Sequence, residues 1–179
     1  RGIWTTGSLN RTTWEDSSVF GKPHGTHYDA GADTSFDVTG NTEGTTIYYE
    51  HETGNNQIKG GVTTAIAANI ESGDFDITRD QERGVSFRGD GEYIMKISRF
   101  IPDFLSQTGN TQITLNLRDY PNSSQASSSL GPFTIDSTTT KVDTRARARA
   151  VSLKVANTGV DQDWKVGTFR LDVQADGRR

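Results

Sequence analysis

From Arg145 to Val155 the chain alternates without a miss. Arg145, Arg147 and Arg149 interleave with Ala146, Ala148 and Ala150, and the odd positions continue as Val151, Leu153 and Val155. A side-chain period of two belongs to a β-strand with two unlike faces. At ~3.3 Å per residue such a strand would reach roughly 36 Å. One face is basic first and apolar later. The other begins with small residues, so a second layer or a second chain could lie close on it. Asn157-Thr158-Gly159 then supplies turn chemistry. Phe169, Leu171 and Val173 alternate with Arg170, Asp172 and Gln174, which predicts the return strand of a hairpin.

The rest of the chain reads the same way. Thr111–Tyr120 predicts a strand with Ile113, Leu115 and Leu117 facing in and Thr114, Asn116 and Arg118 facing out. Glu92–Phe100 predicts another, with Tyr93, Met95 and Ile97 on one face and Pro102 ending its pairing. Thr45–Glu52, Gly61–Ser72, Asp74–Thr78 and Gly131–Asp136 are further strand candidates, and Asp90-Gly91 suits a hairpin turn. Val19–Gly44 loses periodicity and reads as a long irregular excursion, and Pro121–Ser129 as a Ser/Asn loop. No capped segment with a 3.6 period stands out. These features predict an all-β fold of antiparallel sandwich or propeller-derived sheets, with long loops and little or no helix. The division expected is an N-terminal β segment over 1–60, possible as part of a propeller, and a sandwich-like domain over 61–179. No internal repeat is evident, so a whole propeller is not contained here.

Only 31% of the 179 residues are hydrophobic, which predicts a thin core or one completed by neighbours. The net charge of -4 argues against a general nucleic-acid binder, so any basic function must be local. With no cysteine, disulfide scaffolds, cysteine metal sites and thiol chemistry are excluded together. No apolar run approaches the ~20 residues of a membrane helix. The first residue is Arg1, which suggests processing or the tail of something longer.

Several patterns carry residue types that can do chemistry. His24, His27 and Asp29 have a metal-like spacing, but in a strand His51 would point away from Glu50 and Glu52, so no second cluster joins them. Asp74, Asp76 and Asp80 start like a calcium loop, yet Arg79 and Val85 stand where that loop needs Gly and Glu. Arg88-Gly89-Asp90 matches an adhesion tripeptide that the turn alone explains. Asn10-Arg11-Thr12 and Asn122-Ser123-Ser124 fit a glycosylation sequon. No phosphate loop, dinucleotide fingerprint, nucleophile elbow or zinc-protease helix occurs, and no carboxylate pair is singled out for glycoside hydrolysis. No enzyme, cofactor or metal is therefore expected. Trp4, Trp14 and Trp164 read as packing anchors or as stacking faces. Arg145, Arg147 and Arg149 read either as a solvated face paired with carboxylates, or as a basic stripe offered to a polyanion or an acidic neighbouring subunit.

Three groups of short motifs resemble one family. The first is Trp4, Arg11-Thr12-Thr13-Trp14, Asp16, Tyr49-Glu50-His51-Glu52 and Gly54. The second is Ile70-Glu71-Ser72-Gly73-Asp74-Phe75-Asp76-Ile77, Arg99-Phe100-Ile101-Pro102-Asp103-Phe104, Leu117-Arg118-Asp119-Tyr120-Pro121 and Gly131-Pro132-Phe133-Thr134. The third is Arg145-Ala146-Arg147-Ala148-Arg149, Trp164-Lys165-Val166-Gly167-Thr168-Phe169-Arg170-Leu171-Asp172 and Asp176-Gly177-Arg178-Arg179. Together they resemble the C-terminal part of tail hub or nozzle proteins of short-tailed bacteriophages, also called packaged-DNA stabilisation proteins. Family members are longer, with a β-propeller ahead of or including the first group, and Val19–Gly44 looks like an insertion. The resemblance implies a structural virion protein made in the bacterial cytoplasm. It implies a homo-oligomeric, hexameric ring below the portal and adaptor that contacts passing DNA and takes part in genome retention and ejection. A carbohydrate- or receptor-binding β-module using Trp4, Trp14, Tyr48 and Tyr49 is the alternative.

Overall fold

The computed structural model describes residues 11–29, 45–59, 61–80, 84–86, 92–120 and 128–178. Trp4, the Arg88-Gly89-Asp90-Gly91 turn, both sequons' asparagines and Pro121–Ala126 lie outside them. The described chain is all-β with antiparallel sheets, as the alternation predicts, and one four-residue helix. It falls into two compact units. One runs up to Gly54 and includes Ile58–Val62; the other takes Asn55–Gln57 and the chain from Thr63 onward. A two-stranded element, β4 (Asn56–Lys59) with β5 (Val62–Ala65), occupies the stretch where the chain changes unit.

In the first unit, β1 (Thr13–Glu15), β2 (His24–Asp29) and β3 (Thr45–Glu50) form a sheet in that order. The helix α1 (Ser17–Phe20) sits in the β1–β2 connection. Asp16 caps its start and Gly21, at φ 74°, ends it. β2 corrects the irregular excursion expected from Val19. Its sequence His-Gly-Thr-His-Tyr-Asp has no apolar stripe, and among the described residues neither side of this sheet presents a wholly apolar face. Cross-strand register supplies the order that periodicity does not.

The second unit is a sandwich. One layer is β12 (Ser128–Ile135), β11 (Thr111–Arg118), β14 (Ala150–Ala156) and β6 (Asn69–Glu71). The other is β13 (Val142–Ala148), β9 (Tyr93–Ile101) and β16 (Arg170–Arg178). A pair, β10 (Phe104–Thr108) with β15 (Asp163–Val166), accompanies them, as does a short pair, β7 (Thr78–Asp80) with β8 (Gly84–Ser86). β11 alternates as the sequence predicts, burying Ile113, Leu115 and Leu117, with Thr111 beside them. Met95, Ile97 and Phe100 of the facing layer join one core with Ile135, Val151 and Val155. Phe100 meets Phe133 edge-on across the layers at 5.6 Å. β9 keeps Met95 and Ile97 inward, then shifts phase at an irregular register so that Phe100 turns in.

Two expectations about the end of the chain need correction. Residues 145–155 are not one strand. β13 ends at Ala148 and β14 begins at Ala150, in the opposite layer. Ala146 and Ala148 point inward in the first, Val151 and Val155 in the second, so inward parity switches at Arg149. The bend at Arg149 interrupts the alternation, so residues of the other parity face the interior beyond the corner. The Arg149 backbone N–H bonds to the Arg118 carbonyl at 3.0 Å and ties the corner to β11. The small face thus enters the core, and the basic face does not run on into the apolar one. Nor do the last strands form a hairpin. β14 pairs with β11 and β6, whereas β16 pairs with β9. Gly61–Ser72 is likewise two strands, β5 and β6, interrupted at 66–68.

Candidate functional site

The arginine strand sets out the most distinctive surface. Ala146 and Ala148 are sealed into the core, so Arg145 and Arg147 are held outward by the pleat. Arg147 reaches over β9 and donates Nε to Asp176 Oδ2 at 2.7 Å and Nη2 to the Asp176 carbonyl at 3.2 Å. Arg149, at the corner, donates Nη1 to the Glu92 carbonyl at 3.2 Å. Arg145 has no hydrogen bond or ion pair among the described residues. The stripe is therefore divided between the two sequence readings: Arg147 is paired with a carboxylate, and Arg145 stands open.

The same layer carries more charge than the stripe alone. Arg99 on β9 lies between Asp143 on β13, at 2.8 Å, and Asp172 on β16, at 3.6 Å. Lys141 adds a second cation to Asp143 at 3.5 Å. Hydrogen bonding from Arg99 holds the Asp143 carboxyl below the usual carboxylate range, and the Arg99 guanidinium is pushed above its ordinary value by the same bond. Exposed ladders of this kind add little to stability, but they fix side-chain positions across three strands.

The other layer carries a polar row on its outer side that sequence reasoning missed. Glu71 Oε1 accepts from the Ser152 hydroxyl at 2.6 Å and from Asn116 Nδ2 at 2.7 Å, and Ser129 donates to Asn116 Oδ1 at 3.0 Å. Those two donors hold the Glu71 carboxyl below its ordinary value. Arg118 pairs with Asp74 at 2.8 Å. The row joins four strands by register, and only tertiary pairing of β6 with β14 brings Glu71 to it.

The tryptophans part company. Trp164 on β15 packs on the core and donates Nε1 to Asn157 Oδ1 at 3.0 Å, so it is an anchor. Trp14 on β1 is 51% exposed. It lies against His51 at 4.7 Å, in the same row as Gly25 and Tyr49. Gly25 makes that row possible: a Cβ there would come within 3.2 Å of Arg11 and 3.3 Å of the Trp14 ring. Arg11 stacks over Tyr49 at 3.7 Å and donates Nε to His51 Nε2 at 3.1 Å. Burial, then the Arg11 charge, keeps the His51 imidazole below its ordinary value. Tyr48 faces the other side with His24, to which it is hydrogen-bonded, and Phe20 stacks on that His24. The four aromatics considered for stacking therefore do not share one platform. Trp14 and Tyr49 are on one face, Tyr48 is on the other, and Trp4 lies outside the described residues.

His24 and His27, three positions apart in β2, point to opposite faces. No group of three His, Asp or Glu side chains close enough to hold a metal occurs among the described residues. No helix among them is long and apolar enough to cross a membrane. Fold and surface together define an all-β protein with a seven-stranded sandwich and a charged sheet face. Compared with known proteins, the chain matches no family model and no curated protein sequence.

Proposed function

We propose that the chain is a structural component of a bacteriophage tail, part of a nozzle or hub ring that surrounds the DNA exit channel and takes part in genome retention and ejection. The observation that carries this reading is the mounting of the arginine strand: alanines sealed in the core hold Arg145 and Arg147 rigidly at the surface. Such a strand acts by shape and charge, with no reacting group required. The motif resemblance over most of the chain supports the same reading. The partners it implies are sister copies, the portal-adaptor and other tail proteins, and passing DNA.

Negative-stain images of the purified chain test it: closed rings are expected, and monodisperse single particles at every concentration would sink it. A second reading, a carbohydrate- or receptor-binding module, draws on the exposed Trp14. Glycan-array binding that disappears with Trp14→Ala, in a chain that forms no rings, would put that module in place of the nozzle.

A further inference from the structure

The outer side of the β13–β9–β16 layer is basic on a chain whose net charge is -4. Arg145, Arg147 and Lys141 come from β13 and its approach. Lys96 and Arg99 come from β9, Arg170 from β16, and Arg149 from the corner. Against these seven cations stand Asp143, Asp172 and Asp176, with Glu92 at the end of β9. The local excess is three positive charges. Lys96, Arg145 and Arg170 are exposed and have no partner among the described residues.

The cations form a band on and beside β9. Arg170 is opposite Ile101, Arg147 opposite Lys96, and Arg149 beside Glu92, so together they run the length of β9. Nine strand residues span roughly 30 Å at ~3.3 Å each. One strand of duplex DNA places a phosphate about every 3.4 Å, so about nine phosphates lie along the same distance.

We infer that this sheet face is a nucleic-acid contact surface, which tracks the phosphate backbone of duplex DNA without reading its bases. The face fits a solvated polyanion better than a sister subunit. Protein interfaces exclude charge from their centres, and burying cations against protein would carry a large desolvation cost. Nucleic-acid interfaces are wet and positively charged. The interspersed carboxylates limit the excess to three, which makes the contact weak and reversible, as a channel wall for a moving genome requires. The biological role of the contact rests on the proposed nozzle; the contact itself does not.

The test is fluorescence anisotropy of a 30-bp duplex with the full chain, at 50 mM and 200 mM salt. Neutralising about three phosphates gives a log–log salt slope near -2.7, and hence ~40-fold weaker binding at the higher salt. The variant Lys96→Ala/Arg145→Ala/Arg170→Ala, checked for an unchanged melting temperature, is expected to bind at least ~10-fold more weakly at 50 mM. Lys96→Arg with Arg145→Lys is expected to bind normally. No binding at 50 mM, or equal binding by the alanine variant, overturns the inference. So does loss of self-association by the alanine variant with its DNA binding intact, which would make the face a subunit contact. Rings without DNA binding would remove this inference alone, and DNA binding without rings would remove the nozzle alone.

Discussion

Glu71 shows how much a single side chain can organise that its neighbours in sequence do not announce. Its carboxylate accepts from Ser152, which is 1% exposed, and from Asn116 on the next strand. Removing the acceptor leaves a buried hydroxyl to find another, and Glu71→Ala is expected to cost about 1–2 kcal/mol. The group's pKa in the fold lies below its ordinary 4.5. Its contribution is therefore present in full above 4.5 and is lost as pH falls through the lower, folded value. Urea melts of wild type and Glu71→Gln from pH 7 to pH 3 check this: the gap between them should close below pH 4.5. A gap independent of pH would mean that the hydrogen bonds do not discriminate the charged form. In the sequence, Glu71 is a polar residue between Ile70 and Ser72 in a presumed strand. Its partners lie 45 and 81 positions away, beyond the reach of any local pattern.

At the level of elements, legibility followed burial on one side. β11 and most of β9 were readable because one face of each is core and the other is not. The crossing at Arg149 was not, since no Gly or Pro marks it and Ala150 fits either side of a pleat. β2 was hidden for the opposite reason: a sheet with no continuous core face writes no alternation into its strands. Besides its backbone ladder, the first unit's sheet carries side-chain contacts of a titratable kind. Arg11 donates to the bare Nε2 of His51, and Trp14, Tyr49, His24 and Glu52 also act on that ring. The His51 pKa in the fold lies below its ordinary 6.5, so the fold prefers the neutral ring. The unfolded chain takes up the proton first as pH falls, and the unit's stability is lost from about 6.5 down through the folded value. Tryptophan fluorescence of Trp14, read in a Trp4→Phe/Trp164→Phe background, should show the first unit melting earlier at pH 5 than at pH 7.5. His51→Gln, which cannot charge, should remove the difference; if it persists, His51 is not its source.

For the whole molecule, the question is where the sandwich stops. The four-stranded layer ends at β6, only three residues long. Ile70 pairs with Val155 and so points to the inner side, yet Val155 is 1% exposed and Ile70 is 51% exposed. Among the described residues the apolar interior thus runs out to an uncovered edge, a place where unpaired strand backbone and apolar surface invite another chain. The proposed ring gives that edge an occupant, a sister copy, and leaves the basic face of the other layer free. Sedimentation velocity over a concentration series separates the cases. The wild type should form a species whose mass is a multiple of 19.6 kDa. Ile70→Asp places a charge on the edge strand, the device by which natural sheets refuse such pairing, and should hold the chain at 19.6 kDa. Because the side chain is already half in solvent, the variant's melting temperature should change little, so a lost assembly cannot be mistaken for a lost fold. A wild-type chain that stays at 19.6 kDa at all concentrations would leave Ile70 without a covering copy, and with it the ring.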